Sequence, residues 1–573
     1  MAKTTKTKLP KSDLGDILTQ YQLLDKITRN RRDELVMFFE QNRKFRGTND
    51  DPVFINKGFE IIQTKLPRVV GGNAGFQVTA RNEDDQPVAL GIKAVAGYYA
   101  DRMNLTLFLE DWAALAMQDG YAIARIEYDT ESVQVADKKT GKKRTIEQYV
   151  PKPVLLSSTA FICDPSIQNL EDQEEFFDKQ YYTIDGFTYL AETRKWKVNP
   201  KDVVAYSDKD EEMWKQRKFT VQDLTYMKDN GKVELLVHYK KSSGKWYRDF
   251  ILNRATIIFT EAVQDIPYIK LDDYRLPNQF SSIGEVEMCI PEQTVMTDIV
   301  NNRQQNIKKA LKRQVIVTEA SGIDPDSVTD EEANVYVSSD PSGIGMYHME
   351  VPDVTAGAYN EFNEMNKNIF AKAGIMDYAK GAEGSAVPNA TMAKIIENAG
   401  NQRFKMFINH IDIAVAQMMK KVITFISSNM KEDLYVYITD GTTQEWMAVT
   451  KSVLSIDFDI RVEPNSLATS DSDTDVQKAM AAYQIGIQNP DICNRIEFIK
   501  DVLLALGKQN TDRFFNKQTP QAPSPQQPLQ GHTQGQEQPQ GQPIQPLEQQ
   551  QPQDMQPTAN PNDLQSVLSA IKQ

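Results

Sequence analysis

Apolar residues recur at helical spacing over residues 12–44, where Leu14, Leu18, Tyr21, Leu24 and Ile27 lead on to Leu35, Phe38 and Phe39. The spacing predicts a helix. Residues 51–283 mix two patterns. Helical stretches at 88–102 and 106–118 alternate with runs of β-branched and aromatic residues at Tyr121–Tyr128, Leu235–Tyr239 and Thr256–Thr260, which predict strands. The expected class is α+β. Five cations in Lys138–Arg144 form the tip of a hairpin between Val133–Val135 and Thr145–Val150. A solvated turn is the plainer reading of this tip and a nucleic-acid contact the sharper one.

The pattern changes near residue 284. Residues 291–312 read as one helix, ~33 Å long at 1.5 Å per residue, with Pro291 suited to the first turn. Val295, Ile299, Ile307 and Leu311 share a stripe, Asn301 to Asn306 are wholly polar, and Lys308, Lys309, Lys312 and Arg313 close the segment. A second helix of similar length, ~30 Å, is predicted over Val354–Ala373. Between the two lies an insert, 313–353, with strands expected at Gln314–Thr318 and Val335–Ser338. From Thr318 to Asp353 it carries nine carboxylates and no Lys or Arg: Glu319, Asp324, Asp326, Asp330, Glu331, Glu332, Asp340, Glu350 and Asp353. Two helices flanking a small β insert make a stalk with a head.

Residues 374–389 are a loop on composition, with Gly374, Gly381 and Gly384 as hinges and one cation, Lys380, against Asp377 and Glu383. The longest helix is predicted over Ala390–Met430, ~60 Å. Phe404, Ile408, Ile411, Val415, Met418, Val422 and Phe425 form a heptad stripe, and Phe407, Ile423 and Ile426 widen it. A wide apolar face points to a core helix rather than a two-stranded coiled coil. Strands at Leu434–Ile438 and Ile456–Val462 and helices at about 475–488 and 491–507 follow. Over 518–557 sixteen of forty residues are Gln and nine are Pro, too little apolar surface to offset chain entropy, so disorder is expected. Asn562–Gln573 regain an amphipathic pattern, a short docking helix or a fraying end.

Charge and candidate chemistry narrow the function. With 65 Lys and Arg against 79 Asp and Glu, the net charge is −14, which argues against broad neutralisation of nucleic acid. Cys163, Cys289 and Cys493 are far apart, with no CxxC pair, which fits a reducing compartment. There is no HExxH, no GxxxxGK[ST], no apolar run of 18 residues and no apolar N-terminal stretch, so a membrane partner is not expected. Asp471, Asp473 and Asp475 imitate a calcium loop, but Val476 stands where the turn needs Gly and Ala482 where it needs Glu. A polar lead-in to the next helix is the better reading. His238 and His410 lack a Ser or Cys partner and read as packed histidines. Gly71–Gly75 reads as a turn. No catalytic residue, metal-ligand set or cofactor is expected.

The stretches DWAALAMQDGYAIARIEYD (111–129), CDPS (163–166), IVNNRQQNIKKAL (299–311), NATMAKIIENAGNQRF (389–404) and INHIDIAVAQMMKKV (408–422), and above all the order of parts over 284–430, resemble the portal proteins of tailed bacteriophages. The resemblance covers about residues 12–510. It implies an N-terminal arm and helix (1–50), a wing (51–283), a first stem helix (284–312), a clip (313–353), a second stem helix (354–373) and a tunnel loop (374–389). A long helix with the wing return (390–470), a crown-like region (471–515) and a tail (516–573) follow; the tail is not a family feature. It implies a non-enzymatic ring, usually of twelve copies, at one capsid vertex of the virion, assembled in the host bacterial cytoplasm. Double-stranded DNA would enter and leave through its channel without sequence-specific contact. Partners would be further copies of the chain, major capsid and scaffolding proteins, the terminase large subunit, and head-tail adaptor or neck proteins.

On that resemblance, Gly374, Asp377, Lys380, Gly381, Glu383 and Gly384 would face DNA in the tunnel loop. Glu319, Asp324, Asp326, Asp330, Glu331 and Glu332 would form a docking rim on the clip. Lys308, Lys309, Lys312 and Arg313 would be stem cations. The alternatives are a DNA-processing enzyme of the packaging apparatus, with the acidic insert as a metal site, and a non-viral oligomeric scaffold built on the heptad helix.

Overall fold

In the computed structural model, the described residues are 13–41, 53–72, 74–80, 86–136, 143–156, 160–204, 232–311, 313–319, 324, 333–339, 346–348, 355–375, 390–430, 434–440, 443–454, 458–462, 479–484, 498–500 and 502–503. They form the expected α+β arrangement. Helix α1 is Leu14–Gln41, α2 Lys57–Val69, α3 Gln86–Arg102, α4 Leu105–Asp119 and α5 Ile184–Thr193. Strands β2 (Tyr121–Ala136) and β3 (Lys143–Leu155) make the expected long hairpin, and β9 (Tyr268–Asp272) lies on the other side of β2. β3 holds Pro151 and Pro153, which an edge strand tolerates because a proline cannot donate to a ladder.

A second sheet is an antiparallel meander of β4 (Phe161–Cys163), β5 (Glu175–Thr183), β6 (Lys232–Ser242), β7 (Lys245–Leu252) and β8 (Thr256–Val263). β6 and β7 join through Ser243 and Gly244, both with positive φ, the twist a two-residue hairpin demands. The two-residue period of β6 sends side chains both ways. Val233, Leu235, Val237 and Tyr239 enter a core with Phe161, Phe176, Tyr268 and Phe280. Leu236 faces Ile17 and Tyr21 of α1. His238 is fully buried on that opposite side, stacked on Phe177, with Nδ1 3.2 Å from Asp249 and Nε2 2.7 Å from Glu175. Burial alone would lower its pKa, but the hydrogen bonds to Asp249 and Glu175 outweigh burial and raise it.

The C-terminal half is organised by one long helix. Helix α6 is Glu285–Leu311, α7 Thr355–Ala373, α8 Ala390–Asn429 and α9 Lys451–Leu454. Ile411, Val415, Met418, Met419, Val422 and Ile423 of α8 are fully buried in the largest core, among residues of α2, α3, α4 and β9. The heptad stripe is thus a core face. His410, on α8, places Nδ1 3.0 and 3.1 Å from the backbone oxygens of Asp272 and Asp273 and so donates to the end of β9, as a packed histidine. Strand β15 (Phe458–Val462) returns to pair antiparallel with β1 (Phe76–Ala80), and β13 (Leu434–Asp440) pairs with β14 (Thr443–Val449), a strand the sequence pattern missed.

Helix α6 is seated by close backbone contact and a buried ion pair. Gly120 ends α4 with φ +88°, and a Cβ there would lie 1.9 Å from the carbonyl oxygen of Ser282. Gly284 returns the contact: its Cβ would lie 2.6 Å from the nitrogen of Gly120. One residue on, Glu285 pairs with Lys65 of α2, and both side chains are buried. The Tyr274 hydroxyl donates to the same carboxylate at 3.0 Å. Removing one partner of such a pair strands the other charge in the interior and costs about 3–5 kcal/mol. Further along α6, Gln293 accepts from the backbone nitrogens of Lys57 (2.9 Å) and Gly58 (3.0 Å). Asn301 accepts from the Val53 nitrogen (2.8 Å) and donates to its oxygen (2.9 Å).

Two pattern-based expectations are corrected here. Helix α6 starts at Glu285, close to the bound of 284 that the resemblance implies and ahead of the start at Pro291 that the residue pattern predicts; the proline sits inside it. The proline has no N–H for the carbonyl of Glu287, but α6 runs through because its first turn is fixed by Gly284, Lys65 and Tyr274. The flanking helices are therefore unequal, with 27 residues in α6 and 19 in α7. The second correction is α2, which the pattern missed because Lys65 occupies a core position and Gly58 and Pro67 are poor helix formers.

Gly120→Ala is expected to cost about 3 kcal/mol of unfolding free energy, since a left-handed position and a backbone collision add. Urea unfolding followed by circular dichroism measures it, and a loss below about 1 kcal/mol would mean the two segments part easily. Asp273, beside this pair, is buried, and burial first, then the charge of Glu285, raise its pKa well above the usual carboxylate range. A carboxyl held neutral in the fold but ionised in the unfolded chain lowers stability as pH rises from its unfolded value, about 3.9, toward its folded value. Asp273→Asn is therefore expected to raise the unfolding midpoint at about pH 8, with the gain shrinking toward about pH 4. Identical gains at both pH values would show a charged Asp273.

Candidate functional site

The part of the chain that stands out from the core is the pair α6 and α7 with the small sheet between them. Glu292 of α6 pairs with Lys372 of α7, and the Arg303 guanidinium lies 5.9 Å from the Tyr359 ring centre. As residue number rises along α6 it falls along α7, so the helices are antiparallel. Their inner ends are rooted: Met296, Ile369, Phe370 and Ala373 are buried in the main core. Further out α6 turns polar. Asn302, Arg303, Gln304, Gln305 and Lys308 are exposed, as the sequence predicts for its midsection. Val295 and Ile307 are each 40% exposed and Tyr359 55%, leaving apolar surface on the outside of both helices.

The head is a three-stranded sheet in the order β11-β10-β12, built from β10 (Arg313–Thr318), β11 (Ala333–Ser338) and β12 (Met346–His348). β10 follows α6 almost at once. β10 and β11 run parallel, with Val315 opposite Val335, and β12 pairs antiparallel with β10, with Val317 opposite Met346. Val315 and Val317 are buried while Val337 is 54% exposed. The two expected strands are present; β12, three residues long, carries too short a pattern to predict.

The expected site residues divide as follows. Lys308 is exposed in the last turns of α6, and Lys309 and Arg313 belong to α6 and β10. Glu319 and Asp324 are exposed on the insert. Gly374 closes α7 with φ +74° and is buried. Its nitrogen donates to Ala371 O at 3.2 Å and that of Ile375 to Phe370 O at 2.9 Å, the pattern of a left-handed C-terminal cap. Gly374 is thus the residue at which α7 stops. Lys312, Asp326, Asp330, Glu331, Glu332, Asp377, Lys380, Gly381, Glu383 and Gly384 lie outside the described residues, as do the 138–142 tip, Asp471, Asp473, Asp475 and the Gln/Pro tail. Sequence reading passed over Arg303, Lys367 and the carboxylates Asp298, Glu361 and Glu364, all exposed on the two helices. Their alternating signs give the described outer surface of the stalk no single charge.

No catalytic arrangement is assembled among the described residues. No group of three His, Cys, Asp or Glu side chains there is placed to hold a metal ion. Cys289 is buried, and burial, with Glu285 next, pushes its thiol up to about 12, so it is not a reactive thiolate. Among the described residues no helix is long and apolar enough to cross a membrane.

No curated protein matches the chain. A family model described as phage SU10 portal protein matches residues 157–556, a span that takes in the whole meander sheet, the two-helix stalk with its sheet, and α8. That span is about seven-tenths of the sequence, and the chain belongs to this family of phage portal proteins.

Proposed function

We propose that the chain assembles into a closed homo-oligomeric ring, a dodecamer, at one capsid vertex, and that double-stranded DNA passes along its axis during packaging and ejection. The observation that carries this reading is the stalk: an antiparallel helix pair rooted in the core at one end, polar along its outer length, and ending in a small sheet. Such a pair leaves Val295, Ile307 and Tyr359 uncovered in a single chain. Neighbouring copies around a ring would cover part of that surface by head-to-tail contacts, which close when the rotation per subunit divides a full turn.

In this reading 313–353 is the clip and its carboxylates form the docking rim for the terminase large subunit and then the head-tail adaptor or neck proteins. Repeated around a ring, they steer basic partners. The wing faces major capsid and scaffolding proteins. The 374–389 loop touches DNA without reading its sequence, with Lys380 meeting phosphates and Asp377 and Glu383 limiting the hold. No step of catalysis and no cofactor enters, and the product is a component of the virion, assembled in the host cytoplasm.

Negative-stain images of the purified protein are expected to show a holed disc with radial symmetry, and native mass a multiple near twelve. A monomer or dimer at micromolar concentration in several salts would overturn the ring. Metal-dependent DNA cleavage by the purified protein would favour the enzyme alternative. Replacing Asp330, Glu331 and Glu332 with Ala is expected to slow adaptor association at low salt several-fold while rings persist; an unchanged rate would remove the rim from the docking surface. Lys380→Glu is expected to leave ring formation intact and impair packaging or genome retention, and parental packaging would remove the loop from the channel.

A further inference from the structure

The edge strands of the two large sheets are not treated alike. β4, at one edge of the meander, is three residues long, and Ile17 and Tyr21 of α1 share a core with its Ile162. β3, at the edge of the hairpin sheet, carries Pro151 and Pro153. Shortness, a covering helix and proline all keep an edge from pairing with another chain. β8, the other edge of the meander, has none of these. It runs for eight residues, Thr-Ile-Ile-Phe-Thr-Glu-Ala-Val, without Pro, Lys or Arg, and no residue of it is buried. A bulge near its start shifts the register against β7, but from Phe259 opposite Phe250 to Val263 opposite Trp246 the pairing is regular. Its single charge, Glu261, accepts the Nε–H of Arg248 on β7 at 2.5 Å. Among the described residues no strand pairs with the outer side of β8.

The same chain carries a strand of matching length. β9 lies beside β2 only over Tyr121–Arg125. Beyond that, ten pairs run from Glu127 opposite Lys152 to Ala136 opposite Lys143, a ribbon ~33 Å long at 3.3 Å per residue. Asp129, Thr130, Glu131 and Ser132 are exposed in succession, and successive residues of a strand point to opposite faces, so both faces of the ribbon meet solvent there. A lone two-stranded ribbon is marginal in water and needs a third strand or a packed element to be stable. On β3 the prolines confine further pairing to Lys143–Val150, a proline-free stretch as long as β8.

We propose that the outer edge of β8 takes the stretch Lys143–Val150 of a neighbouring copy, antiparallel, so that the meander of one chain and the hairpin of the next become one sheet. The inference rests on the ring proposed above. Charge sets the direction. Arg254, paired with Glu234, stands just before β8, whereas Glu261 and Asp265 stand toward and beyond its far end, Asp265 with 62% of its side chain exposed. The antiparallel arrangement brings Lys143 and Arg144 to the carboxylate end, and a parallel one would bring them beside Arg254. Main-chain hydrogen bonds supply the affinity, as in other strand additions. Each copy offers one β8 and one β3, so the junction is head-to-tail and repeats around a ring.

The test is thiol cross-linking of the full-length protein with a short bismaleimide, in a Cys493→Ser background because Cys163 and Cys289 are buried. Thr145 and Ala262 are exposed and become close neighbours across the antiparallel junction. The double variant Thr145→Cys, Ala262→Cys is expected to give covalent dimers and a ladder of higher multiples on denaturing gels. Either single variant, and Thr145→Cys with Thr256→Cys, should give none. Adding Lys143→Glu and Arg144→Glu should slow the linking several-fold at low salt. Rings without the link, or with the link through Thr256, would overturn the junction and leave the ring standing. A pair of thiols that closes within one chain, with no gain in mass, would overturn it as well. A protein that stays monomeric would overturn the ring and the junction together.

Discussion

Lys65 is buried at the point where α6 begins, and a buried ammonium is tolerated only with a partner held in place. Glu285 is that partner, and it stands one residue after Gly284, whose backbone packs directly against Gly120. The two features need each other. The glycine contact brings α6 close enough for its first turn to reach Lys65, and the ion pair makes any retreat of α6 expensive. From this seat Gln293 and Asn301 tie the backbone of residues 53–58 along the helix, so the direction of the stalk is set several turns before it leaves the core. Pro291 breaks one hydrogen bond of α6 without ending it, because the helix is held on both sides of the break.

The legible parts of the sequence were those whose pattern was long and local. The face of α8 read correctly because Ile411, Val415, Met418 and Val422 keep a regular spacing over many turns and nothing polar interrupts them. The polar midsection of α6 and the β2–β3 hairpin read correctly for the same reason. Misreadings came from residues that serve distant partners. Lys65 looks like a surface residue until Glu285 is placed beside it, and with Gly58 and Pro67 it hid α2. Pro291 is a common start signal, and only the glycine contact, which joins residues far apart in the chain, shows that the helix starts earlier. Gly374 was legible as a special glycine, but whether it frees a loop or ends a helix depends on the carbonyls of Phe370 and Ala371 that its neighbourhood satisfies. The cavity between the meander sheet and the β2–β3 hairpin, lined by Tyr128, Tyr182 and Phe425 among others, left no pattern at all, because its walls come from strands and helices brought together only by the fold.

Charge is distributed unevenly over this chain, and the distribution matters more than the total. The described outer surface of the stalk mixes Asp298, Glu361 and Glu364 with Arg303, Lys308 and Lys367, whereas the insert beyond it is acidic and the turn after α5 is basic. A surface of interspersed signs attracts a polyanion weakly at short range and is screened beyond about 10 Å at moderate salt. For the conduit proposed above this is an advantage. Each phosphate held by a cation must be released before the duplex advances, and affinity rises steeply with the number of phosphates neutralised at once. In the proposed ring the contribution of every subunit is repeated, so even a modest excess of cations per chain would multiply into a tight grip. Near-cancellation within each subunit is therefore the condition under which a ring of many copies lets DNA slide. The acidic insert, which faces protein partners in the proposed ring, escapes that constraint and is free to carry concentrated charge.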